Sequence, residues 1–245
     1  MVNNINEPRT PYQVEVGSDY QKQNEEASDS LLRSFEKHKS DKGSKHQYHR
    51  IYGPEFNALR QEPINFLEIG IFEGCSMAAW LDYFPNANVY GIDIFTRVKP
   101  ESLHEIFDNP RAHWLKANST QQLAASIMKK EWPDVKFDII LDDGNHTPRC
   151  QAQTFMNLNQ FLKDDGIYLI EDVIQVDELM KTNAYSNAFH GMKNKWVNKH
   201  KDDYTALWFN YLLETIDTPE WNCKRFDNAR IWNAVDSCVL KVTKK

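Results

Sequence analysis

Five short apolar runs, each followed by a segment of helical pattern, constrain this chain more than any other feature. They are INFLEIG (64–70), NVYGIDI (88–94), HWLKA (113–117), FDIILDD (137–143) and GIYLIED (166–172). Runs this short and this apolar read as buried strands. Between them, CSMAAWLDYF (75–84) spaces Met77, Trp80, Leu81 and Phe84 as one helix face, and Pro100 opens a short helix over ESLHEIF. Ser119 with Gln122 reads as a capping box for the next helix. Thr147–Pro148 reads as an N-cap followed by proline at the first helical position. Five strand–helix units in series predict a parallel sheet with helices on both faces and right-handed crossovers. The end, ARIWNAVDSCVLKVTKK, predicts an antiparallel strand pair turning near Asp236–Ser237. The expected fold is therefore α/β and Rossmann-like, with a mostly parallel seven-stranded sheet.

Three stretches frame this core. Residues 1–28 are polar and read as a flexible N-terminal arm. Residues 29–63 form a helical cap segment, with a helix starting at Asp29–Ser30 and a short one opened by Pro54. The catalytic domain is expected over 64–245, with a lid insertion at about 174–204. Four cysteines without a CxxC pair, no leader pattern and no run of 18 apolar residues point to a cytoplasmic protein without membrane contact. A net charge of −6 argues against nucleic acid as a partner. A homo-oligomer is left open.

Ligands of such sheets bind beyond the carboxyl ends of the strands. The first strand ends Gly70-Ile71-Phe72-Glu73-Gly74. Gly70 permits a tight turn and Gly74 close helix packing. A dinucleotide loop needs a third glycine where Phe72 stands, so NAD and FAD are disfavoured. An adenosine ligand without a diphosphate fits, and S-adenosylmethionine (SAM) is the candidate. Asp93, 23 residues after Gly70, is placed to accept hydrogen bonds from ribose hydroxyls. Asn118 and Ser119 either line the adenine pocket or cap the next helix.

The fourth strand runs into Asp142-Asp143-Gly144-Asn145-His146, and the fifth ends Glu171-Asp172. Carboxylates crowded at neighbouring strand ends call for a neutralising cation, and oxygen ligands with open positions suit Mg²⁺. His146 beside such a site is a candidate general base for an alcohol nucleophile.

LEIGIFEG, YGIDIF, FDIILDDGNH, TFMNLNQFL and GIYLIEDV resemble the Mg²⁺- and SAM-dependent class I sugar O-methyltransferases of macrolide biosynthesis, of mycinamicin and tylosin type. They also resemble the related cephalosporin-hydroxylase-like and rhamnosyl O-methyltransferase group. The resemblance covers about residues 38–175 and the terminal strand pair. It implies methyl transfer to a hydroxyl of a small-molecule or glycan acceptor. It implies Asp143, Glu171 and Asp172 as metal ligands, His146 as base, and cofactor contacts at Glu68, Gly70, Ser76 and Asp93, with Asp142 either near the methionine portion or behind the residues that touch the ligand. Phe72 and Glu73 depart from the usual small residues, and 174–204 matches no member. A catechol or phenol acceptor, a non-catalytic SAM-fold module and a nicotinamide oxidoreductase are the competing readings. Lys42, His46, Tyr48 and His49 either close over the ligand or belong to a solvated basic loop. Of Trp196, Trp208, Trp221 and Trp232, most are expected in the core rather than stacked on a sugar. His190 and His200 read as surface residues of the lid.

Overall fold

The computed structural model describes residues 18–173, 209–228 and 237–245. Seven strands form one sheet in the order β3-β2-β1-β4-β5-β7-β6. They are β1 (Asn65–Ile69), β2 (Asn88–Asp93), β3 (Ala112–Lys116), β4 (Phe137–Asp142), β5 (Leu162–Ile170), β6 (Trp221–Asp227) and β7 (Cys238–Lys244). The first five pair in parallel, and β7 runs antiparallel to both β5 and β6. Among the described residues the helices are α1 (Ser18–Lys37), α2 (Asp41–Ser44), α3 (His49–Phe56), α4 (Cys75–Tyr83), α5 (His104–Phe107), α6 (Gln122–Glu131), α7 (Pro148–Leu158) and α8 (Phe209–Ile216).

Alternation along the central strands divides the core into two layers. Phe137 and Ile140 of β4 pack in one layer with α6, α7 and α8, while Ile139 and Leu141 pack in the other with α1, α3 and α4. The second layer centres on Trp80, whose ring lies 5.0 Å from Phe35 and 4.9 Å from Phe66. Burial on both faces explains why these strands read as continuous apolar runs.

Register positions the chemistry. Ile69 pairs with Ile92 on one side and Asp142 on the other, and Asp142 pairs with Ile170. Gly70 and Asp93 therefore emerge side by side, as do Asp143 and Glu171. The order of strands reverses between β1 and β4, the point where open sheets of this kind form their ligand crevice.

Several sequence expectations need correction. The N-terminal helix already includes Ser18, so residues 18–28 belong to α1 rather than to a loose arm, and Ala27 is buried in the core. Pro54 lies inside α3 rather than opening a helix. The capping box is not formed: the helix starts at Gln122 with Gln121 rather than Ser119 at its N-cap, and the Ser119 hydroxyl pairs with Thr154 Oγ1 at 3.0 Å. The first strand of the terminal pair is Trp221–Asp227, upstream of the stretch expected for it. Trp221 packs edge-on to Phe155 at 5.2 Å, as a core residue should. The lid at 174–204, with His190, His200 and Trp196, lies outside the described residues, as do Trp208 and Trp232. No helix among the described residues is long and apolar enough to cross a membrane, and all four cysteines are free thiols.

Candidate active site

The loop after β1 closes on a carboxylate. Asp93 Oδ2 accepts from the Ile71 and Phe72 amides at 2.9 and 3.1 Å, and Oδ1 accepts from the Phe95 amide at 2.6 Å. The loop is tight enough to need left-handed backbone at Gly70 (φ +94), Phe72 (φ +48) and Gly74 (φ +75). Phe72 bears a Cβ there, a conformation costing about 1–2 kcal/mol, and its ring is 50 % exposed. Gly70 is required twice over, because a Cβ on it would lie 2.2 Å from the Asp143 carbonyl oxygen. The cofactor turn thus rests directly on the backbone of the acidic loop.

Two carboxylates at this junction each keep one oxygen without a hydrogen-bond partner among the described residues. Glu68, fully buried, accepts from Trp80 Nε1 at 3.3 Å through Oε1, while Oε2 has no partner. Asp142 accepts from the Gly144 amide at 3.2 Å through Oδ1, and its Oδ2 is likewise unmatched. Burial pushes both carboxyls up to about 7. Ser76 is nearly buried on the first turn of α4. Asn118 Oδ1 accepts from the Thr120 amide and hydroxyl, fixing the turn after β3.

At the ends of β4 and β5 the carboxylates meet side chains from the N-terminal segment. Lys42, only 2 % exposed, donates from Nζ to Asp143 Oδ2 at 2.5 Å and to Glu171 Oε2, and lies 3.9 Å from Glu68 Oε1. Tyr52 Oη donates to Glu171 Oε1 at 2.6 Å. Tyr48 Oη donates to Asp172 Oδ1 at 2.5 Å and accepts from the Asp172 amide at 3.3 Å. His46 stacks on Tyr48 at 5.0 Å and bonds Ser237 Oγ at 2.7 Å through Nδ1. The Glu171 carbonyl accepts from Gln151 Nε2 at 2.8 Å.

Asp172 has φ +51. Successive strand residues point to opposite faces; the left-handed turn breaks that rule and lets Glu171 and Asp172 serve the same cluster. His146 Nε2 lies 3.1 Å from Asp143 Oδ1, and its Nδ1 lies 3.5 Å from Asp172 Oδ2. Asp143, His146 and Asp172 each offer a ligand atom, all within 4.8 Å of one another. This donor set of two carboxylates and an imidazole fits a divalent ion. Glu171, by contrast, has both oxygens engaged by Lys42 and Tyr52.

The charges are strongly coupled. Burial pulls the Lys42 ammonium toward neutrality, but Asp143, Glu171 and Glu68 outweigh it and hold its pKa well above normal. Burial likewise opposes ionisation of Asp143, and Lys42 and His146 overcome it, so this carboxyl titrates well below its usual range. His146 loses some affinity for its proton through burial and regains more from Asp143 and Asp172, reaching a pKa of about 9. Burial raises the phenols of Tyr48 and Tyr52, and the adjacent carboxylates raise them further.

The basic, aromatic run at 40–56 is therefore not a solvated loop: Lys42, His46, Tyr48 and His49 are all buried. Tyr52 was not among the expected site residues. Its signal lay in the i, i+4 spacing from Tyr48, which puts both hydroxyls on one face of α3.

Residues 67–173 match the family model described as a methyltransferase domain. The chain is 32 % identical over 151 residues to the 8-demethyl-8-(2-methoxy-alpha-L-rhamnosyl)-tetracenomycin-C 3'-O-methyltransferase of Streptomyces olivaceus, covering 58 % of this chain and 36 % of that enzyme. It spans less than half the length of the curated relatives it matches. Among solved structures, the MycE methyltransferase of the mycinamycin pathway, in complex with Mg and SAH, superposes with a TM-score of 0.59 at 19 % identity, over 88 % of this chain and 54 % of that one. The SAH-bound Podospora anserina methyltransferase PaMTH1 does so with a TM-score of 0.58 at 16 % identity, over 97 % and 98 % of the two chains. At these identities the structural likeness speaks for the fold. The strand order and the solved structures agree on a Rossmann-like fold, and within it residues 67–173 are similar to methyltransferase domains.

Proposed function

We propose that this protein is a SAM-dependent O-methyltransferase that transfers a methyl group to a hydroxyl of a sugar or glycoconjugate, assisted by a divalent cation of the Mg²⁺ type. The observation that carries this reading is the meeting of Asp143, His146 and Asp172 within 4.8 Å, beside the Gly70–Gly74 turn. Similarity to a rhamnose O-methyltransferase supports the sugar acceptor.

In this reading Glu68, Gly70, Gly74, Ser76, Asp93, Asn118, Ser119 and Asp142 would line the cofactor, which supplies an electrophilic methyl sulfonium. The unmatched oxygens of Glu68 and Asp142 suit a cationic ligand group such as an amino acid's ammonium. Asp143, Asp172 and, when released from Lys42, Glu171 would hold the metal in place of the imidazole, which leaves His146 for proton transfer. A bound divalent ion would lower the pKa of a hydroxyl beside it and remove much of the negative charge that holds the His146 proton. His146 must be neutral to act as base, and with its pKa at about 9 the metal-free protein keeps it protonated at neutral pH. Once neutral, with Nε2–H held on Asp143 Oδ1, its Nδ1 would take the hydroxyl proton while the oxygen attacks the methyl group in line and the cofactor leaves as the neutral thioether. Asp143 orients the imidazole at 3.1 Å.

The test is calorimetry with SAH, followed by methyl transfer from labelled SAM to a panel of glycosides with and without Mg²⁺. The expected result is SAH binding by the wild type and chelator-sensitive transfer to a sugar hydroxyl. Absence of SAH binding removes the reading altogether; transfer unaffected by chelation removes the metal from it.

A further inference from the structure

We propose that the Lys42 ammonium is a built-in occupant of the metal site, so that a divalent cation and Lys42 compete for Asp143 and Glu171. The proposal rests on the cation-dependent reading above and concerns how that site is filled before metal arrives.

Lys42 reaches the cluster from α2, a four-residue helix far outside the matched domain in sequence. Ser40 Oγ accepts from its backbone amide at 3.4 Å. A Cβ on the neighbouring Gly43 would lie 2.9 Å from Phe35 Cβ, so α2 sits tightly on α1. The backbone that carries Lys42 is thus anchored, and its amino group reaches a cluster formed by Glu68, Asp143 and Glu171. This group does what a metal ion would do: it neutralises carboxylates that folding has buried together. Uncompensated, those charges would oppose folding strongly.

The same geometry sets the two cations against each other at Asp143 and Glu171. Mg²⁺ requires carboxylate oxygens at about 2.0–2.1 Å, and the ammonium already stands on one oxygen of Asp143 and one of Glu171. While it stays, Glu171 has both oxygens engaged, and the open donors are limited to the Asp143–His146–Asp172 side. The full set of three carboxylates becomes available only when the ammonium withdraws. A flexible four-carbon stem permits that movement, where an arginine held by two parallel bonds would resist it. Tyr52 and Tyr48 keep Glu171 and Asp172 in place during the exchange, because their hydroxyls bond the other oxygen of Glu171 and one oxygen of Asp172.

Competition and bracing predict opposite signs for one measurement. Mn²⁺ binding to the full chain, followed by electron paramagnetic resonance, is compared between wild type and Lys42→Met. Competition predicts at least a tenfold tighter Mn²⁺ affinity for the variant, and a larger rise in its melting temperature on adding Mg²⁺. Binding by the variant alone also supports it. Wild-type binding with equal or weaker binding by the variant overturns the proposal and leaves the metal-dependent reading standing. Binding by neither overturns both. Should Lys42→Met fail to fold, acetylation of the wild-type chain read by mass spectrometry decides the matter. Lys42 is expected to be protected without metal and to react at least tenfold faster under saturating Mn²⁺; unchanged protection overturns the proposal.

Discussion

The β1/β2 ends and the β4/β5 ends both carry carboxylates, and the chain satisfies them in opposite ways. Asp93 is held by three backbone amides from its own neighbourhood, two of them on the turn 21 and 22 residues before it. Asp143 and Glu171 are held by a side chain 101 and 129 residues away. Amides are permanent donors, so the first region is a fixed cradle that needs no exchangeable ion. An ammonium on a flexible stem is a removable charge, so the second region is suited to exchanging one cation for another. The two meet where Gly70 touches the Asp143 carbonyl oxygen, which ties the shape of the cradle to the position of the acidic loop.

The largest expected break in this comparison is chemical. His146→Ala should reduce kcat by about 10²–10⁴-fold, the usual contribution of a positioned base, while SAH affinity stays within about twofold of wild type; calorimetry showing a large loss of SAH binding would merge the two regions into one. Asp93→Ala should do the reverse. Removing a charged acceptor for three amides is expected to weaken SAH binding by about 10–100-fold, on the order of 1.5–3 kcal/mol, with Mn²⁺ affinity unchanged. Gly70→Ala should damage both regions together, because the new methyl meets the Asp143 carbonyl and φ is +94. Urea unfolding should show a loss of about 1–3 kcal/mol, and wild-type stability in this variant would contradict the contact.

The histidines sharpen the contrast through pH. His146 has a folded pKa raised to about 9 above an ordinary 6.5. Its contribution to stability is therefore complete below pH 6.5 and is lost as pH rises through 9. His49, buried and with an unpartnered Nδ1, is pushed down to about 4 mainly by burial. Its contribution is present above pH 6.5 and is lost as pH falls toward 4. Melting temperature against pH should decline on both sides; His146→Asn should flatten only the alkaline limb, and His49→Gln only the acid limb. The smallest effect is expected from Phe72→Gly, which removes a left-handed phenylalanine from the turn. Relief of about 1 kcal/mol is partly offset by the added freedom of glycine in the unfolded chain, so a rise in melting temperature of a few degrees at most would be seen by calorimetry.

What could be read in advance followed from local rules. FDIILDD and LEIG are apolar because their strands are covered on both faces, and glycine marks the end of β1 because a left-handed turn and a close carbonyl leave no room for a Cβ. Asp93, Asp143, His146, Glu171 and Asp172 were legible because a parallel sheet delivers its strand ends to one edge. Local signals misled where a tertiary partner outbid them. Ser119 looks like a cap, yet Thr154 on α7 takes its hydroxyl. The polar stretch before Asp29 looks like a loose arm, yet from Ser18 onward it is helical, and the helix buries Ala27, Leu31 and Phe35.

The sequence by itself determined the alternation of strands and helices, the turn at Gly70 and the presence of two acidic strand ends. Periodicity, glycine geometry and parallel topology are properties of short segments. Only the tertiary structure decided what neutralises those acids. Lys42, Tyr48 and Tyr52 belong to a segment whose basic and aromatic residues would suit solvent equally well. Long-range packing of α2 and α3 against α1 and the sheet brings them to the β5 end, because a buried carboxylate must find a donor or a cation wherever in the chain one is available.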